Sequence, residues 1–162
     1  MRQIDAIAKK IMTVKEAKSI IASWKVLGKT VSFTNGCFDI LHPGHIFSLG
    51  QAAKEADYLI VGLNSDASVK RLKGPERPIN NTKSRAIIIA NLVLVDAVVV
   101  FEEDTPLELI TELLPNVLVK GGDYTLEQIV GAKEVIASGG KVIINNMVEG
   151  FSTTNLIEKI KK

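Results

Sequence analysis

The chain has one cysteine, Cys37, in 162 residues, so no disulfide framework holds it. As a nucleophile Cys37 would need a histidine beside it in space; otherwise it reads as a small buried hydrophobe. Aromatic residues make up 5% of the chain, and 20 basic residues are almost balanced by 18 acidic ones. With no basic block and so few aromatics, a nucleic-acid platform is excluded, although local phosphate sites are not. No apolar run reaches membrane-spanning length: the longest, Ala86 to Phe101, is interrupted by Asn91 and Asp96. The first residues, Met1-Arg2-Gln3-Ile4-Asp5 with Lys9-Lys10 close behind, have no apolar core of a leader. A cytoplasmic protein with no membrane partner is the expectation.

What remains is a 46% hydrophobic, 23% charged chain, long enough for one real core. Its pattern alternates short β-rich runs with helical periodicity. Thr13 and Glu16 form a capping box for a helix whose face is Ala17, Ile20, Ile21 and Trp24, closed by Gly28. Residues 1–28 therefore read as a helical extension ahead of the first strand, packing on the domain or on a partner subunit. A single domain follows over residues 29–162. Its strands are expected at Val31–Phe33, Tyr58–Leu63, Asp96–Phe101, Asn116–Lys120 and Lys141–Ile144. Helices are expected between them: one after Pro43, a short one after Ser65, one from Thr82 with Ala86, Ile89, Ala90 and Val93 on one face, one with Leu107 and Ile110, one from about Ile129 to Ala137, and one carrying Leu156, Ile157 and Ile160. Five such alternations predict an α/β fold, a five-stranded parallel sheet with helices on both faces.

The most informative stretch runs from Val31 to His45. It starts as a strand, turns at Asn35-Gly36, and becomes helical after Pro43-Gly44. Both histidines of the chain, His42 and His45, stand at that loop-to-helix junction. A helix N-terminus offers free N–H groups and partial positive charge, so two imidazoles beside it suit a phosphate; helix capping alone would also account for them. Gly28-Lys29-Thr30 imitates the end of a P-loop. It fails, because Ser23 stands where the first glycine belongs and a strand follows.

Other polar groups follow strand ends. Asn64 closes one strand, and Lys120-Gly121-Gly122-Asp123 closes another, where the glycines allow either close ligand approach or a plain tight turn. Ser152-Thr153-Thr154 opens the last helix, as a cap or as an anion site. The segment Lys73-Gly74-Pro75-Glu76-Arg77-Pro78 is a solvated surface loop or a flap that brings Lys73 and Arg77 to a polyphosphate. Glu102-Glu103-Asp104 suits a Mg²⁺ ion or the N-terminus of the following helix. In parallel α/β sheets ligands bind outside the carboxyl ends of the strands, so these separate signals converge on one edge.

The run Gly36-Cys37-Phe38-Asp39-Ile40-Leu41-His42-Pro43-Gly44-His45 resembles the signature of the nucleotidyltransferase superfamily, His-x-Gly-His after the first strand. Gly62–Val69, Leu72-Lys73-Gly74-Pro75, Arg77-Pro78-Ile79-Asn80, Phe101–Pro106, Val119–Tyr124 and Ser152-Thr153-Thr154 extend the likeness over nearly the whole chain. The Lys-Gly-Pro-x-Arg-Pro and Lys-Gly-Gly-Asp-Tyr runs resemble the D-glycero-β-D-manno-heptose 1-phosphate adenylyltransferases of lipopolysaccharide synthesis. The resemblance implies a Rossmann-like nucleotidyltransferase fold and transfer of AMP from ATP to the sugar phosphate, with ATP as co-substrate, Mg²⁺ held mainly by phosphates and water, and pairing as a homodimer. It assigns catalytic roles to His42, His45 and Lys73. Nucleotide binding falls to Asn35, Gly36, Cys37, Phe38, His42, His45, Asn64, Lys120, Gly121, Asp123, Ser152, Thr153 and Thr154. Sugar-phosphate binding falls to Asp39, Lys73, Arg77 and Arg85, the last with Ser84 where the family usually has an acid. No protein metal ligand is implied. A glycerol-3-phosphate cytidylyltransferase shares the signature and the Ser-Thr-Thr ending, and a non-catalytic nucleotide-binding regulator is the alternative of another class.

Overall fold

The computed structural model describes residues 5–122, 124–145 and 153–160. The chain runs as α1 (Asp5–Ala8), β1 (Ile11–Met12), α2 (Val14–Val26), β2 (Val31–Gly36), α3 (Pro43–Ala53), β3 (Tyr58–Asn64), α4 (Asp66–Lys73), α5 (Thr82–Ala90) and β4 (Ala97–Phe101). It continues as α6 (Leu107–Leu113), β5 (Val117–Gly121), a 3-10 turn at Leu126–Gln128, α7 (Ala132–Ala137), β6 (Lys141–Asn145) and α8 (Thr153–Ile160). The strands form one parallel sheet in the order β1-β4-β3-β2-β5-β6.

The sheet thus has six strands where the sequence pattern showed five. The sixth is Ile11–Met12, which pairs with Val98–Val99 along the outer edge of β4. Two residues are too few to display alternation, yet they obey it: Ile11 packs on one face of the sheet and Met12 on the other. Lys10 extends the seam, its carbonyl accepting from Val98 N at 2.7 Å and its ammonium donating to Val95 O at 2.6 Å.

Strand alternation splits the core between the two faces. Leu59, Val61 and Leu63 of β3 meet Leu49, Ala52, Ala86, Ile89 and Ala90 of α3 and α5. Ile60 points the other way, into a cluster with Ala17, Ile21 and Trp24 of α2 and Leu109, Ile110 and Leu113 of α6. The apolar face of α2 is therefore spent on its own domain, and Trp24 stacks on Tyr58 at 4.0 Å. The Thr13–Glu16 capping box is formed as expected, with Thr13 N donating to Glu16 Oε2 at 2.8 Å.

Two helices are shorter than their periodicity suggested. α5 stops at Ala90, where Asn91 turns back to donate to Ile87 O at 2.8 Å. Val93 is consequently 94% exposed, and Val95 takes the core position instead. α7 starts at Ala132 rather than near Ile129, because Gly131 takes φ +85° against the Ile110 side chain, which a Cβ would meet at 2.7 Å.

The topology places the ligand site. From β2 the chain winds outward through β3 and β4, then crosses back to β5 and β6 on the other side. β2 and β5 pair only through Ser32–Val117 and Phe33–Leu118. Beyond that point they part, and a crevice opens at their carboxyl ends, the switch point where such sheets bind ligands.

Candidate active site

A cleft of about 640 Å³ fills that crevice. Of the residues expected at the site, Asn35, Gly36, Cys37, Phe38, Asp39, His42, His45, Asn64, Lys73, Arg77, Lys120, Gly121, Thr153 and Thr154 line it. Asp123 and Ser152 lie outside the described residues. Arg85 does not line it.

The signature loop is tightly shaped. Phe38 takes a left-handed φ of +45°, unusual for a side chain of its size, and its ring lies over Gly36, where a Cβ would meet it at 3.0 Å. The Phe38 ring then meets His45 edge-on at 5.3 Å, and His45 stacks on His42 with ring centres 3.7 Å apart. His42 is the N-cap of α3, its Nδ1 accepting from His45 N–H at 3.4 Å. That bond assigns the proton of neutral His42 to Nε2.

Burial lowers the pKa of both imidazoles. For His45 burial and the neighbouring His42 bring it to about 4, with the Ile40 backbone opposing. Its Nδ1 is buried with no hydrogen-bond partner. An unsatisfied buried imidazole nitrogen is uncommon in a fold, and this one lies in the first turn of α3, where N–H groups are free.

Lys120 reaches across the switch point, donating to Asn35 Oδ1 at 3.0 Å. Burial lowers its pKa, and among the described residues no carboxylate pairs with it or with Lys73. Two cations lining one cleft without an ion-pair partner of their own favour an anion there. Asn64 is held by its Nδ2 donating to Ser68 Oγ at 3.0 Å, and Ser68 in turn donates to Glu103 O at 2.8 Å.

The residues expected to hold the sugar phosphate divide differently. Asp39 is 2% exposed and accepts from Arg77 Nε at 2.6 Å, Ile79 N at 2.8 Å and Asn80 N at 2.9 Å. Burial alone would raise its pKa, but these N–H groups and the guanidinium outweigh it and hold the carboxyl below its usual range. Asp39 thus anchors the segment 77–80 and positions Arg77 at the cleft. Arg85 departs from the expectation altogether. It is fully buried and spends its guanidinium on Cys37 O, Asn64 O and Asn80 O, on Asp66 Oδ1 at 2.7 Å and on Thr82 Oγ1. With five partners inside the chain it is a strut beneath the loop, not a substrate contact.

Cys37 has no histidine partner, and burial pushes its thiol up against the pull of Lys73, Arg85 and Arg77. The acidic run is tied elsewhere too. Asp104 accepts from Arg71 Nε at 2.5 Å, and Arg71 also donates to Glu102 O. Asp39 and Asp104, the carboxylates lining the cleft, are thus both engaged, and the described residues hold no group of three or more His, Cys, Asp or Glu placed for a metal ion. Among the described residues, the side chains at the cleft do not fit a resident Mg²⁺.

The lining residues Ser48, Gln128 and Val130 carried no signal in the sequence, and Thr105 and Tyr124 stood only inside runs of family likeness without a role. Ser48 was within reach of the helical rule, three residues after His45 on the same face of α3. Tyr124 precedes, and Gln128 ends, a 3-10 turn that no periodicity announces. No helix among the described residues is long and apolar enough to cross a membrane.

Comparison with known proteins bears on this cleft. The cytidylyltransferase-like family matches residues 33–159. The bifunctional protein HldE of Paramagnetospirillum magneticum is 54% identical over 93% of this chain, and that of Rhodopseudomonas palustris 58% over 88%. The chain spans only 31% and 29% of those relatives' lengths. Among solved structures, a lipopolysaccharide core biosynthesis protein of Thermoplasma volcanium is 29% identical, with a TM-score of 0.60 over 75% of this chain and 98% of that one. A pantoate-beta-alanine ligase of Francisella tularensis, complexed with an ATP compound and beta-alanine, shares the fold at a TM-score of 0.59 over 93% of this chain and 76% of that one, with 16% identity.

Proposed function

The chain belongs to the cytidylyltransferase-like family, and from that membership we propose that it is a nucleotidyltransferase that moves AMP from ATP to D-glycero-β-D-manno-heptose 1-phosphate. One observation carries the reading. His45, whose buried Nδ1 has no partner, and Lys120, with no carboxylate paired to it among the described residues, line a single cleft that Lys73 and Arg77 also line. Such a cleft has room for two phosphorylated substrates.

An oxygen of the sugar phosphate attacks the α-phosphorus of ATP. The new P–O bond forms as the bond from the α-phosphorus to the bridging oxygen breaks, and pyrophosphate leaves with that electron pair. The attacking phosphate is already anionic, so no protein nucleophile or general base is needed. The residues position the reactants and stabilise charge. His42, through Nε2–H, and His45 meet the phosphates at the α3 N-terminus. Lys120, Thr153 and Thr154 hold the triphosphate on one side; of the residues outside the described ones, Ser152 shares that role and Asp123 is assigned to the ribose and base. The backbone of Asn35–Phe38, with Asn64 and Gly121, cradles the nucleotide. Lys73 and Arg77 receive the sugar phosphate, with Arg77 oriented by Asp39. Mg²⁺ enters as the ATP complex. The homodimer implied by the resemblance would use a surface other than the apolar face of α2, which is already covered. A cytoplasmic setting suits these substrates.

The test is pyrophosphate release from purified protein with Mg²⁺ and heptose 1-phosphate, comparing ATP with CTP. Release with ATP alone is expected. Release with CTP, or only when glycerol 3-phosphate is supplied, would move the substrate assignment. Nucleotide binding without release under any pairing would favour a regulator.

A further inference from the structure

We propose that Tyr124 is the platform for the base of the incoming nucleotide, and that the Gln128 carboxamide donates to an acceptor on that base's edge. The inference rests on reading the cleft as a nucleoside triphosphate site and deepens it.

The two walls of the cleft differ in charge. On the side of α4 it is lined by Lys73 and Arg77; past the end of β5, beyond Lys120 and Gly121, the described lining residues are Tyr124, Gln128, Ile129 and Val130, none of them charged. A sugar phosphate carries its own dianion and belongs with the cations. A neutral, flat heteroaromatic ring belongs on the uncharged wall.

Tyr124 is built as a platform there. It is 46% exposed, yet it is held by the backbone: a Cβ on Gly122 would lie 2.9 Å from its ring, and Gly122 takes φ +127°, which a side chain would not tolerate. Gly122 N in turn donates to Asn145 O at 3.0 Å, fixing the turn to the end of β6. The ring is thus kept at the cleft mouth against a glycine that leaves space for it.

Gln128 is oriented by its own turn. Its Oε1 accepts from Thr125 N at 2.9 Å in a capping box. The acceptor end of the amide is spent, and the Nε2 donors remain for the cleft. Every nucleobase edge carries ring-nitrogen or carbonyl acceptors that can take such a donor. Stacking supplies affinity, and the amide supplies direction.

The experiment compares binding of ATP with that of inorganic tripolyphosphate, which has the anion but no base, using the full chain and its variants. Tyr124→Ala is expected to weaken ATP about tenfold or more and to leave tripolyphosphate unchanged. Tyr124→Phe should bind ATP like the parent. Gln128→Glu keeps the capping acceptor and deletes the donors, and should weaken ATP relative to tripolyphosphate about fivefold. Equal losses for both ligands in a folded Tyr124→Ala protein would overturn the proposal, as would unchanged ATP binding or a loss confined to the sugar phosphate. Parent protein that binds ATP no more tightly than tripolyphosphate would overturn it even if pyrophosphate is released. A preserved Tyr124→Ala effect on ATP in a protein that never releases pyrophosphate would uphold this site and sink the transferase reading.

Discussion

The loop between β2 and α3 is held between two sets of polar groups that behave in opposite ways. Beneath it, Arg85 and Asp39 are buried and saturated. Arg85 ties the carbonyls of Cys37, Asn64 and Asn80 together, and Asp39 collects the N–H groups of Ile79 and Asn80 and the Arg77 guanidinium. Above it, His45 keeps a buried nitrogen open, and Lys120 lies half-buried with no carboxylate paired to it among the described residues. Both sets are costly to desolvate. The lower set recovers that cost within the chain, whereas the upper set leaves it for an anion to recover. Saturation therefore separates architecture from chemistry more sharply than residue type does, since each set contains a cationic side chain, Arg85 below and Lys120 above.

The largest effect should come from breaking the lower set. Arg85→Met strands the Asp66 carboxylate and three backbone carbonyls, and is expected to destabilise the fold by about 3–5 kcal/mol. Urea denaturation followed by Trp24 fluorescence reads it. A loss under 1 kcal/mol would return Arg85 to the list of substrate contacts. Breaking the upper set should do the reverse. His45→Ala is expected to keep the fold and lower the rate about 10²–10³-fold, read as pyrophosphate release; normal turnover by a folded variant contradicts its role.

A pH titration sharpens the same contrast. The folded His45 stays neutral down to about 4, while in the unfolded chain it takes up a proton near 6.5. In that window the unfolded state binds more protons, so stability falls as the pH is lowered. His45 contributes a swing of up to about 3 kcal/mol. Asp39, with its carboxyl pulled down, acts in the same direction at lower pH. His45→Gln should remove the part of the slope between about 4 and 6.5; an unchanged slope would show that His45 is not the group responsible. The smallest effect is expected from Lys120→Met. Stability should be unchanged or about 1 kcal/mol higher, because a half-buried ammonium held only by the Asn35 amide is replaced by an apolar chain. Tripolyphosphate binding should weaken. Marked destabilisation would place Lys120 with Arg85 instead.

Features encoded locally were the ones legible in the sequence. Five strands, the Thr13–Glu16 box, the Ser65 cap and the His42–His45 junction each lie within a few residues of one another, where periodicity and capping chemistry act. β1 was missed because two residues carry no period; its place is set by pairing with Val98 and Val99 of β4, far along the chain, beside the Val98 N–H bond to Lys10 O. Val93 was misplaced because Asn91 ends the helix before the pattern does. The role of Arg85 was hidden for another reason: its partners come from residues 37, 64, 66, 80 and 82, segments that only the fold brings together. The Lys120–Asn35 bridge likewise spans 85 positions. The convergence of strand ends identified the cleft, but which of its polar groups were already satisfied is a property of the folded chain.

The most direct measurement is an NMR titration of the imidazole resonances, which the chain's two histidines keep simple. In the free protein His45 should titrate at about 4. On adding ATP its pKa should rise, because phosphate oxygens favour the charged form and accept from the nitrogen that the fold leaves open. A His45 that titrates near 6.5 in the free protein, or that does not respond to a bound triphosphate, would contradict the account.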